Sequence, residues 1–89
     1  MTHPKIKICG ITNLKDAQLA IDYGADAIGF IFYDKSPRNI DIETASSISK
    51  KISKNILKIG VFVNESHQKI NYITKSCDLD LLQLHGTES

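Results

Sequence analysis

Arginine is almost absent from this chain: among its 11 Lys and Arg side chains, only Arg38 carries a guanidinium. Planar, two-pronged recognition of a carboxylate or phosphate therefore has one candidate. With a net charge of +1 and scattered lysines, the chain lacks the clustered positive charge that nucleic acid or an anionic membrane favours. No apolar run approaches the ~20 residues of a membrane helix. The first residues lack the basic stretch and long apolar segment of a signal peptide. There are two cysteines, Cys9 and Cys77, with no C-x-x-C and no histidines at ligand spacing. This argues for a reducing cytosol and against a disulfide or zinc scaffold. Neither G-x-x-x-x-G-K-[ST] nor G-x-G-x-x-G occurs, so a nucleoside triphosphate or dinucleotide cofactor has no phosphate cradle. No carboxylate pair stands at strand ends as an obvious acid and base.

What is present is an ordinary globular composition, 42% hydrophobic and 24% charged over 89 residues. That length makes one small domain, 1–89, which buries only about 60–65% of its unfolded surface.

The apolar pattern alternates short β runs with helical stretches. A first strand covers Ile6–Cys9, and Thr12 or Asn13 caps a helix with Leu14, Ala17 and Ile21 inward. Gly24 stops that helix. Ala27–Phe32 is nearly continuous in apolar character, as a strand buried on both faces requires. A polar loop, Tyr33–Asn39, precedes a second helix capped by Asp41, with Ala45, Ile48 and Ile52 on one side. Lys58–Val63 forms a third strand. Ser66 opens a third helix with Ile70, Ile73 and Cys77 inward, and Leu81–Leu84 forms a fourth strand followed by His85-Gly86. The order β-α-β-α-β-α-β places the chain in the α/β class, with parallel strands and right-handed crossovers.

In parallel α/β proteins, chemistry sits at strand C-termini and in the loops after them. Cys9 ends strand one immediately before Gly10. A thiol there reads either as a small apolar core residue or as a base or nucleophile, and spacing leaves both open. Arg38 follows strand two on the same rim, as an anion clamp or a solvated loop charge, with Pro37 restraining the backbone before it. His85 ends strand four on that rim, as a proton carrier, a hydrogen-bond donor or a structural histidine. Cys77 lies at helical spacing on an apolar face and reads as core.

These segments resemble one family. Lys7-Ile8-Cys9-Gly10-Ile11-Thr12, Gly24-Ala25-Asp26-Ala27-Ile28-Gly29-Phe30-Ile31-Phe32 and Lys35-Ser36-Pro37-Arg38 are similar to phosphoribosylanthranilate isomerase. Gly60-Val61-Phe62-Val63-Asn64 and Leu82-Gln83-Leu84-His85-Gly86 continue the likeness in order, from about Lys5 to the last residue. The resemblance implies a (β/α)₈ barrel of tryptophan biosynthesis in the cytoplasm, without metal or organic cofactor. It implies an Amadori rearrangement of a phosphorylated sugar-anthranilate substrate. A general acid protonates the ribose ring oxygen, the ring opens to a Schiff base, and a general base removes the C2 proton. By resemblance Cys9 is that base, Arg38 holds the anthranilate side and His85 lines the pocket. Asp34 stands where the family usually has proline, and Asn39 where it has an aromatic residue.

A (β/α)₈ barrel needs at least about 200 residues, and this chain supplies four strands and three helices. We expect it to be the N-terminal part of such an enzyme, without the family's aspartate acid and late phosphate-gripping loops, and inactive alone. Strands one and four should then be open edges, and the barrel-facing side chains should lack opposing strands. Self-association or completion by a C-terminal half follows as an expectation. The rival readings are a non-catalytic half-barrel acting as an assembly partner and a small flavodoxin-like binding domain.

Overall fold

The structure, a computed structural model, describes residues 5–86. Its elements run β1 (Lys7–Cys9), α1 (Leu14–Asp22), β2 (Ala27–Phe32), α2 (Ile42–Lys51), β3 (Leu57–Val63), α3 (His67–Cys77) and β4 (Leu81–His85). Each helix begins on a side-chain oxygen that accepts from a backbone N–H three residues on: Asn13 from Asp16, Asp41 from Thr44, Ser66 from Lys69. These caps satisfy donors that the first turn leaves without partners. Of the two candidates for the first cap, Asn13 fills the role and Thr12 does not. Helix α2 also carries Glu43 in its first turn and Lys50 and Lys51 in its last, charges that suit the two ends of the helix dipole. At Gly24 (φ +104°) the chain turns left-handed and α1 ends.

The strands pair in parallel in the order β1-β2-β3-β4. This sequential order excludes the flavodoxin-like reading, in which β1 would lie between β2 and β3. Alternation along the strands fixes two faces. Ile28, Phe30 and Phe32 of β2 and Phe62 of β3 point outward into one cluster with Ala17, Ala45, Ile48, Ile70, Ile73 and Cys77 of the helices. The Phe32 and Phe62 rings stack at 5.3 Å. Burying a side chain such as Phe30 or Phe62 stabilises the fold by about 1.5–3 kcal/mol.

Three strand boundaries differ from the sequence reading, each for a reason visible in the hydrogen bonds. Leu57 falls inside β3, paired with Ala27, and its N–H donates to the Asp26 carbonyl at 3.1 Å. Ile6 falls outside β1: its N–H donates to the Asp26 carboxylate, and its carbonyl accepts from the Asp26 N–H, so it joins a side-chain clamp and not the ladder. His85 falls inside β4, registered with Val63, and its carbonyl accepts from the Asn64 N–H at 2.9 Å.

Strands β1 and β4 are the open edges of the sheet, as expected. The exposed large apolar side chains of β1 and β4 are Ile8 (42%), Leu82 and Leu84 (61%), and all three lie on the outer, helix-facing side. On the concave side Ile59 and Val61 are buried. These two residues belong to the inner strand β3, whereas on the edge strands the concave Lys7 and His85 are exposed as well.

Candidate active site

Cys9, Arg38 and His85 all stand at the C-terminal end of the sheet. Cys9 closes β1, half-buried, and is registered with Gly29. Gly29 lies between Ile28 and Phe30, both aimed at the helices, so its own missing side chain would point to the concave face. A β-carbon there would come within 2.8 Å of the Cys9 Sγ, a separation that packed atoms do not tolerate. The thiol therefore lies over Gly29 on the concave face. The Gly29 carbonyl accepts from both the Gly10 and Ile11 N–H groups, at 3.0 and 3.1 Å, and this holds the turn that follows Cys9.

Gly10 has φ +86°, a left-handed conformation that glycine alone adopts without strain. The Arg38 side chain lies across it: a β-carbon on Gly10 would collide with Arg38 Cδ and stand 3.1 Å from a guanidinium nitrogen. Arg38 is thereby laid beside Cys9, although 29 positions separate the two in sequence. Its loop is closed by short bonds. The Arg38 N–H donates to Ser36 Oγ, and the Tyr33 N–H donates to Asn39 Oδ1 at 2.9 Å. Asn39 thus fastens the two ends of the loop. Arg38 forms no ion pair with a described carboxylate, which leaves its guanidinium available to an anion.

His85 stands across the mouth from Cys9. The Lys7 ammonium donates to Gln83 Oε1 at 2.8 Å, which spans the concave face from one edge strand to the other. Cys9 and His85 lie two residues further along these parallel strands, on the same face. They therefore occupy the next layer toward the C-terminal rim. Sequence reasoning passed over Lys7 and Gln83. The signal available was parity, since Lys7 shares a face with Cys9, and Gln83 with His85.

Cys77 falls outside this rim. It is fully buried, donates weakly to the Ile42 carbonyl, and burial pushes its thiol up to about 11. An apolar groove lined by Ile6, Ile8, Leu19 and Tyr23 also takes in Cys9, Gly10 and Arg38, and it lies between α1 and the outer side of β1. Among the described residues, His, Cys, Asp and Glu nowhere gather in a group of three able to hold a metal, and no helix is long and apolar enough to cross a membrane.

The sequence pattern of N-(5'-phosphoribosyl)anthranilate (PRA) isomerase matches residues 6–89. The chain belongs to the phosphoribosylanthranilate isomerase family. It is 53% identical over 85 residues to an N-(5'-phosphoribosyl)anthranilate isomerase of Pelobacter propionicus, a match covering 96% of this chain and 41% of the relative. Its fold superposes on the crystal structure of phosphoribosyl anthranilate isomerase from Thermotoga maritima with a TM-score of 0.91 at 46% identity, covering 98% of this chain and 42% of that one. A phosphoribosyl anthranilate isomerase in complex with reduced 1-(o-carboxyphenylamino)-1-deoxyribulose 5-phosphate gives a TM-score of 0.92, also at 46% identity, covering 98% and 45%. The chain thus spans about two fifths of the length of these isomerases and corresponds to four strands of the family's barrel.

Proposed function

We propose that this chain supplies the first four strands of an N-(5'-phosphoribosyl)anthranilate isomerase of tryptophan biosynthesis, acting in the cytosol. Cys9 is the general base that takes the C2 proton of the ring-opened Schiff base. Arg38 holds the anthranilate carboxylate, which its flat guanidinium fits with two parallel hydrogen bonds. His85 lines the pocket opposite. The observation that carries this reading is the placement of the Arg38 side chain on Gly10, the residue next to Cys9, with no ion pair to a described carboxylate. A base and an anion clamp lie side by side at the C-terminal end of a parallel sheet, where barrel enzymes do their chemistry. A carboxylate held at Arg38 would bring the neighbouring carbons of the same substrate within reach of the thiol.

The chain acts in this reading only when completed. The proton donor to the ribose oxygen and the grip on the phosphate come from the remaining strands of the barrel. The direct assay follows the loss of the phosphoribosylanthranilate substrate with the 89-residue chain alone and mixed with the remaining strands of a relative. Turnover in the mixture and none with the chain alone is the expected result. Turnover by the chain alone would overturn the claim that the acid and phosphate grip lie elsewhere.

A further inference from the structure

The contacts of Lys7, Gln83 and His85 form a chain with only one consistent set of donors and acceptors. A lysine ammonium has three donors and no acceptor, and a glutamine amide has one face of each kind. Lys7 Nζ lies 2.8 Å from one end of the Gln83 amide, so that end must be the carbonyl oxygen. The other end is then the NH₂ group, which lies 3.4 Å from Nε2 of His85. A donor faces that nitrogen, so in neutral imidazole Nε2 must be the acceptor and the proton must sit on Nδ1. Free imidazole side chains in water favour the opposite form, with the proton on Nε2. The arrangement therefore selects against the ordinary preference.

We propose that Lys7, acting through the Gln83 amide, holds His85 in its Nδ1–H form, so that the ring offers the mouth of the site one hydrogen-bond donor. The donor suits an oxygen acceptor on the substrate, such as a carboxylate, phosphate or hydroxyl oxygen. This use of the donor rests on the reading of the rim as the isomerase site, whereas the tautomer itself does not. Lys7 and Gln83 are positioning residues: neither needs to touch substrate, and each acts through the ring. Two features of the fold support the relay. Gln83 and His85 project from one face of β4 two residues apart, which sets their distance. Lys7 projects from the opposite edge strand onto the same concave face, where its ammonium meets the Gln83 carbonyl oxygen.

The test is a long-range proton–nitrogen correlation spectrum of the ¹⁵N-labelled chain at about pH 8, above the ordinary imidazole range. The His85 signals are identified by their loss in His85→Asn. The expected spectrum shows the Nδ1–H pattern for His85 in the unaltered chain. Gln83→Glu replaces the amide with an acceptor-only carboxylate, which still satisfies Lys7 but now needs a proton from the ring, so the pattern should switch to Nε2–H. Lys7→Met frees the amide to rotate and should abolish the preference, with the His67 signals unchanged in both variants. An Nε2–H pattern in the unaltered chain overturns the proposal, and so does an Nδ1–H pattern that survives both Gln83→Glu and Lys7→Met. Turnover is not read in this experiment, so its failure and that of the isomerase reading are separately visible.

Discussion

A single β-carbon placed on Gly29 would stand 2.8 Å from the Sγ of Cys9. The two residues are register partners on neighbouring strands, so the space for the thiol is made by one strand and filled by the other. This relationship gives Gly29 a reason beyond strand packing, since a side chain there would displace the residue proposed as the base.

Gly29→Ala should destabilise the chain by about 1–3 kcal/mol, the usual cost of forcing extra volume into a packed site. It should also change the rate at which Cys9 is alkylated, because the thiol has to leave its seat. Thermal unfolding together with mass spectrometry of iodoacetamide-treated protein checks both. Unchanged stability with an unchanged Cys9 rate would show that the strand accommodates the methyl group without moving the thiol.

The two cysteines should separate cleanly in reactivity. Burial removes Cys77 from reagent and pushes its thiol up to about 11, which leaves little thiolate at neutral pH. Cys9 is half-buried at the rim. Alkylation of the folded chain should modify one thiol, at Cys9, and alkylation in denaturant should modify two. Native modification at Cys77 would mean that the α2–α3 seam opens readily.

How much of this was legible in sequence follows the range of the interactions. Strand and helix positions rest on local periodicity and caps, and Ala27–Phe32, Asp41 and Ser66 stand where the residue pattern puts them. The core role of Cys77 likewise follows from helical spacing. The boundary at Ile6 depends on the carboxylate of Asp26, which no local pattern around Ile6 reveals. The laying of Arg38 across Gly10 and the Lys7–Gln83 bond are contacts between distant segments, created only when the strands tilt and curve. Sequence parity marks which residues share a face but not which of them meet. The open edges at β1 and β4 stand as the strand count implies, whereas the exposure of Ile8, Leu82 and Leu84 on the outer side depends on how far each helix reaches over its neighbouring strand.

Asp26 should make the N-terminal edge sensitive to acid. Its carboxylate accepts from the Lys5 and Ile6 N–H groups at 2.9 and 3.0 Å, and these bonds hold its pKa below the ordinary value of 3.8. A carboxyl whose pKa is lower folded than unfolded stabilises the fold in full above the unfolded value, and loses that contribution as pH falls through the folded one. The attachment of β1 should therefore weaken below about pH 4, in the ordinary aspartate range. Asp26→Asn should remove that step from an acid titration followed by amide exchange at Lys7–Cys9. A step that persists in Asp26→Asn assigns the effect to another carboxyl.

The outer faces of the edge strands should drive association. Ile8 on β1 and Leu82 and Leu84 on β4 are exposed beside unpaired strand edges, the arrangement that invites strands to pair between chains. Sedimentation of the 89-residue chain should show association that grows with concentration, and Leu84→Lys with Ile8→Lys should reduce it. A single monomeric boundary at all concentrations, with a cooperative melt, would contradict this.

The central claim is that Cys9 removes a proton beside an anion clamp, and it is tested most directly by the rate of Cys9→Ala in the barrel completed with a relative's remaining strands. A positioned general base contributes typically 10²–10⁴-fold, so kcat should fall by about that factor while KM, set by groups such as Arg38, changes little. A Cys9→Ala barrel that turns over substrate at the unaltered rate would contradict the account.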